Sequence, residues 1–85
     1  MKIMQVRVLF FGVLKEIFGG ENQMITMPAG SCVQDLLDRF AADPDASRHI
    51  PTLAVAVNRE YSRGDTVLRE GDEVALLPPV SGGAS

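Results

Sequence analysis

The chain has one cysteine, one histidine and no run of lysines or arginines, and none of its apolar stretches approaches the length of a membrane span, about 18 residues. Each scarcity removes a class of function. Cys32 has no second thiol for an internal disulfide, and His49 has no second histidine or paired cysteine nearby, so neither the disulfide staple nor the metal site of small secreted domains is available. The expected compartment is the cytoplasm. Eleven acidic against eight basic residues give a net charge of −3, and without a basic cluster nothing neutralises a row of phosphates, so nucleic acid is not an expected partner. Gln5 and Arg7 interrupt the apolar run that a signal peptide would need after Met1-Lys2-Ile3-Met4, so no membrane association is expected either. Eighty-five residues suffice for one domain and leave little room for a deep enzyme cleft. Hydrophobic residues at 46% and charged residues at 22% are the proportions of an ordinary globular chain.

Patterning supplies the elements. Val6, Val8 and Phe10 alternate with Arg7, Leu9 and Phe11, which predicts a strand over residues 4–11. Gly12 breaks it, and Val13, Leu14, Ile17 and Phe18 recur at helical spacing until Gly19-Gly20 stops them. Residues 23–27 read as a second strand closed by Pro28 and Gly30. Ser31 is a natural N-cap with Gln34 three residues on, and Val33, Leu36, Leu37, Phe40 and Ala41 then fall on one face of a helix that Pro44 ends near Ala42. A polar loop, in which His49 is expected to be solvated, leads to a strand over residues 52–57. Asn58-Arg59 turns the chain into a short strand at Glu60-Tyr61, and residues 66–70 suggest one helical turn that drops Leu68 into the core. The last strand covers residues 73–77 and is halted by Pro78-Pro79.

No internal repeat or linker interrupts this order. It describes a small α+β domain over residues 1–77, a mixed sheet packed on one main helix, followed by an extended tail over residues 78–85. The first and last strands are the most hydrophobic and belong side by side in the centre, which is the β-grasp arrangement. If Val6, Val8, Phe10, Val74 and Leu76 face the helix, alternation sends Leu9, Phe11, Ala75 and Leu77 to the other face. Phe11 and Leu77 then make an uncovered apolar patch near the root of the tail, better explained as a partner interface than as scattered surface hydrophobics. The tail reads Pro-Pro-Val-Ser-Gly-Gly-Ala-Ser. The six residues from Leu77 to Gly83 reach roughly 20 Å at about 3.3 Å each, far enough to enter a partner's active site.

The stretch from Leu68 to Gly83, Leu-Arg-Glu-Gly-Asp-Glu-Val-Ala-Leu-Leu-Pro-Pro-Val-Ser-Gly-Gly, resembles the end of the MoaD family of sulfur carriers, the small subunits of molybdopterin synthase. Val8-Leu9-Phe10-Phe11-Gly12, with Leu14 and Glu16, is similar to the opening of the same family, so the resemblance covers nearly the whole chain. It implies the ubiquitin-like β-grasp fold. It also implies a carrier with no bound cofactor, whose terminal glycine is adenylated with ATP by a MoeB-like enzyme and converted to a thiocarboxylate. A MoaE-like large subunit then uses that sulfur to build the dithiolene of molybdopterin. Gly83 would hold the sulfur and Gly82 would line the entry path, because two residues without Cβ atoms pass a narrow channel. Phe11, Leu77, Pro78, Pro79 and Val80 are the expected partner-binding residues.

One departure from the family pattern follows Gly83. Ala84 and Ser85 succeed it, so a protease cutting between Gly83 and Ala84 is an expected partner, unless the two residues are foreign to the working protein or the carrier activity has been lost. A carrier for cysteine or thiamine synthesis, a ubiquitin-like protein modifier joined to lysines through Gly83, and an interaction module without tail chemistry are the alternatives. Cys32 reads as a small, half-buried residue at a helix start, and Asp65, Glu70, Asp72 and Glu73 as turn and solvated residues.

Overall fold

A computed structural model describes residues 2–79 of the chain. Five strands, β1 (Ile3–Phe10), β2 (Asn22–Pro28), β3 (Ala54–Val57), β4 (Glu60–Ser62) and β5 (Glu73–Leu77), form one sheet in the order β2-β1-β5-β3-β4. The alternation read in the sequence sets the register. Met4, Val6, Val8 and Phe10 of β1 are buried on one face, with Val74 and Leu76 of β5 on the same side. β1 pairs antiparallel with β2 and parallel with β5, Val8 lying opposite Val74 and Phe10 opposite Leu76. Short α1 (Val13–Phe18) fills the connection between β1 and β2 and ends at Gly19, whose φ of 72° is the left-handed stop that its missing Cβ allows.

The main helix, α2 (Val33–Phe40), lays Val33, Leu36, Leu37 and Phe40 on the sheet, closing a core with Leu14, Ile25, Met27, Val55, Val57 and Leu68. Phe10 stacks on Phe18 at a ring separation of 4.6 Å, and Phe40 meets both rings edge-on at 5.8 and 5.0 Å, within the favoured range for aromatic pairs. This is the ubiquitin-like β-grasp fold expected from the patterning.

Several local expectations are corrected. The N-cap of α2 is Cys32, not Ser31. Ser31 is buried, and its hydroxyl donates to the Pro28 carbonyl at 2.7 Å. The Asp35 carboxylate, rather than Gln34, reaches back to the N-cap, accepting from the Cys32 amide at 2.9 Å, while Gln34 turns to Asp38. The helix stops at Phe40 with Ala41 as its cap. Residues 66–70 form no helical turn. Val33 donates to the Thr66 carbonyl and Leu68 to the Ser31 carbonyl, so Val67 sits in an isolated antiparallel bridge with Cys32, and main-chain pairing overrides local propensity. Leu68 reaches the core all the same.

The polar loop after α2 is partly ordered into α3 (Pro44–Ser47), with Asp43 accepting from the Asp45 amide and Ala46 buried, and a 3₁₀ turn over Ile50–Thr52. His49 is therefore half-buried rather than solvated, and β3 begins at Ala54.

The β3–β4 hairpin turns at Asn58 and Arg59, with φ of 51° and 72°, the two positive values of a two-residue type I′ turn. Asn58 also fastens the hairpin to the start of β5: its Nδ2 donates to Asp72 Oδ1 at 3.0 Å and its Oδ1 accepts from the Glu73 amide at 3.0 Å. Asn58→Ala removes both bonds at once and is expected to cost about 1–2 kcal/mol. In urea unfolding this appears as a lower midpoint at unchanged slope.

Candidate functional site: the root of the C-terminal arm

The site is built by the β1–β5 pair. Because Phe10 lies opposite Leu76 in parallel register, the next residues, Phe11 and Leu77, lie abreast of one another at the end of this strand pair. Phe11 is 40% exposed and Leu77 half-buried. Beyond them the chain crosses Gly12, whose φ of 58° lies in the left-handed region, and a Cβ there would come within 3.0 Å of the Pro78 ring. Pro78 thus packs directly over the Gly12 backbone, which fixes the point where the chain leaves β5. Pro79 is exposed. Val80, Gly82, Gly83 and Ala84, named from the sequence as contact, sulfur-carrying and processing residues, lie outside the described residues.

A second surface runs away from this root across the face of the sheet opposite α2. Leu9 lies opposite Ala75, Ala75 opposite Ala56, and Ala56 opposite Tyr61, a continuous row over four strands, and Leu77 lies opposite Ala54 in the neighbouring row. The alanines make a low floor between Leu9 and the largely exposed Tyr61. Sequence reasoning had Leu9 and Ala75 on this face but missed Ala56 and Tyr61. Period-two alternation in residues 52–57 was the available signal, but without the β3–β5 register it does not say which strand each residue faces.

His49 and Thr52 come to the root of the arm as well, lining a cleft of about 400 Å³ with Gly12, Val13, Pro78 and Pro79. Among the described residues there is no cluster of His, Cys, Asp and Glu that could hold a metal ion, and no helix is long and apolar enough to cross a membrane. Cys32 is a half-buried free thiol whose Sγ lies 3.4 Å from Asp35 Oδ2, far along the chain from the arm. Asp72 takes part in turn closure, accepting from the Arg69 amide at 2.9 Å, and the Glu70 carboxylate accepts from the Gln5 amide at 3.1 Å. What the arrangement offers is an apolar surface with the root of the arm, Pro78 and Pro79, at its edge.

The ThiS family model matches residues 8–83, from the first central strand to the second glycine of the arm. The chain belongs to the MoaD/ThiS family. The molybdopterin synthase sulfur carrier subunit of Chlamydomonas reinhardtii is 39% identical over 94% of this chain and 100% of its own length. Among solved structures, the protein–protein complex of subunits 1 and 2 of the molybdopterin-converting factor from Helicobacter pylori contains a chain 31% identical, with a TM-score of 0.70 over 94% of this chain and 100% of that one. The small archaeal modifier protein 1 of Haloferax volcanii aligns with a TM-score of 0.80 at 27% identity, over 91% of this chain and 99% of that one.

The tight contact at Gly12 yields a prediction within this MoaD/ThiS chain. Gly12→Val forces a β-branched residue into the left-handed region and a side chain against Pro78. Stability falls by about 1–2 kcal/mol, and the amide resonance of Leu77 moves because the arm's root is displaced, whereas a Gly19→Asn control, with nothing near its Cβ, leaves that resonance in place.

Proposed function

We propose that this chain is the sulfur carrier subunit of a molybdopterin synthase, working in the cytoplasm with a MoaE-like large subunit and charged by a MoeB-like adenylating enzyme. The observation that carries the reading is the placement of Gly82-Gly83 a few residues beyond a β5 root rigidly set against β1, in a chain that matches a molybdopterin synthase sulfur carrier subunit over that relative's entire length. The complex of subunits 1 and 2 formed by the related Helicobacter protein supports a large-subunit partner.

The chemistry follows from the carrier's end. In the sequence Gly83 is followed by Ala84, so its carbonyl is a peptide amide until a protease cuts between them. Cleavage frees the Gly83 carboxylate. An oxygen of that carboxylate attacks the α-phosphorus of ATP and displaces pyrophosphate, and a sulfide-level nucleophile then attacks the acyl carbon and displaces AMP, leaving a thiocarboxylate. ATP is consumed by the activating partner and is not a resident cofactor. The absence of side chains on Gly82 and Gly83 leaves the acyl carbon unobstructed in the partner's channel. Acid–base groups come from the partners, while this chain contributes the apolar face around Phe11 and Leu77 and the reach of the arm.

The likeness to an archaeal modifier protein supports a second reading, in which a lysine amine rather than sulfur captures the activated Gly83. Intact mass spectrometry after incubation with cell extract, as the source of the protease and of acceptor proteins, together with a MoeB-type enzyme, ATP and sulfide separates the two. The carrier reading expects loss of Ala84-Ser85 followed by an oxygen-to-sulfur mass increase. A lysine conjugate establishes the modifier, and an unchanged mass overturns both.

Docking has its own test. Phe11→Glu places a charge on the apolar face and is expected to weaken binding to the large subunit at least tenfold by calorimetry, the loss of a buried aromatic contact being worth about 2 kcal/mol or more. The circular dichroism spectrum should not change. Unaltered affinity removes this face from the interface.

A further inference from the structure

At one edge the sheet ends at β2, two strands from the strand that leads into the arm, and its outer edge is only partly closed. Main-chain bonds from Phe10 to Glu21 and from Ala29 to Lys2 fix the phase of the β1–β2 ladder, so the odd-numbered residues of β2 bond to β1. Asn22, Met24, Thr26 and Pro28 therefore turn their main-chain groups outward. The far end of this edge is shut: Pro28 has no N–H, its carbonyl takes both the amide and the hydroxyl of Ser31, and the Thr26 carbonyl is held by Arg39 Nη1 at 2.7 Å. Toward Asn22 and Met24 the edge is open.

Directly beside it lies a cleft of about 530 Å³ whose floor is Phe18, Ile25 and Phe40, with Arg39 and Asp43 on its rim. We propose that this edge and cleft together bind an extended segment of a partner protein that carries an apolar residue next to a carboxylate. The segment adds as a sixth strand, bonding to the outward amide and carbonyl of Met24. Alternation then drops its apolar side chain over Ile25 and Phe40. The carboxylate draws Arg39 away from the Thr26 carbonyl, exchanging a bond to a neutral acceptor for a charge-assisted one, and the released carbonyl accepts from the incoming strand. Arg39 is thus a removable plug that keeps the edge from pairing indiscriminately and selects an acidic segment. A second copy of this chain, paired edge to edge, would bring Glu21 toward Arg39, and the dependence of Met24 protection on protein concentration separates that outcome from binding of a partner segment. The proposal concerns a surface separate from the sulfur-carrying arm and stands whether or not the carrier reading does.

The test uses ¹⁵N-labelled full-length protein and the blocked hexapeptide Thr-Val-Leu-Val-Asp-Thr. Titration is expected to shift the amides of residues 22–26 and the Arg39 side-chain resonance, and to slow hydrogen exchange at Met24. Replacing the peptide's Asp by Asn weakens binding about threefold to fivefold, as expected for an exposed charge pair. In Arg39→Gln the two peptides bind alike. Absence of shifts in β2 at millimolar peptide, or shifts confined to the opposite sheet face, overturns the proposal, and so does protection of Met24 that grows with protein concentration without peptide.

Discussion

The parallel pairing of β1 with β5 is the constraint on which the rest of the structure depends. It joins the first strand of the chain to the last and places Val6, Val8, Val74 and Leu76 in the centre of the core, where none of them is exposed. It also decides where the arm begins. One residue of slip would exchange the buried and open faces of β5. Val74 and Leu76 would turn outward, and Pro78 would no longer meet the one position, Gly12, where the absence of a Cβ admits its ring. The core and the functional site are therefore fixed by the same register.

A division of labour follows from this geometry. The face packed on α2 provides stability through an aromatic cluster of Phe10, Phe18 and Phe40 and a helix whose apolar residues all point one way. The opposite face, with its row of Leu9, Ala75, Ala56 and Tyr61, has no covering layer among the described residues. In the proposed reading the domain contributes presentation to a partner's chemistry. It offers a flat apolar surface and, at the edge of that surface, an arm whose departure point is held by packing between Gly12 and Pro78.

Much of this was legible in the sequence because the signals are periodic or punctuated. The two-residue alternation of β1, the helical spacing of Val33, Leu36, Leu37 and Phe40, the Asn58-Arg59 turn and the stop at Pro78-Pro79 each specify an element locally. Where the reading failed, the deciding partner was distant in sequence. Ser31 is a sound N-cap by type, but its hydroxyl is taken by Pro28 and its carbonyl by Leu68. Leu68-Arg69-Glu70 has helical propensity, yet the bridge between Val67 and Cys32 draws the segment into extended form. Tyr61 and the Arg39 bond to Thr26 depend on strand order and edge position, which no local pattern encodes. Phe11 and Leu77 could be named from alternation alone, whereas Gly82, Gly83 and Ala84 were legible only as composition and family likeness.

The central claim is that Gly83, freed by cleavage from Ala84, delivers sulfur into a partner's site. The most direct measurement is molybdopterin formation by a MoaE-type large subunit supplied either with the chain cleaved after Gly83 and loaded as thiocarboxylate, or with the chain still carrying Ala84-Ser85 after the same loading treatment. The account predicts product in proportion to the cleaved, sulfur-loaded chain and none from the uncleaved one. Equal product from both would contradict it.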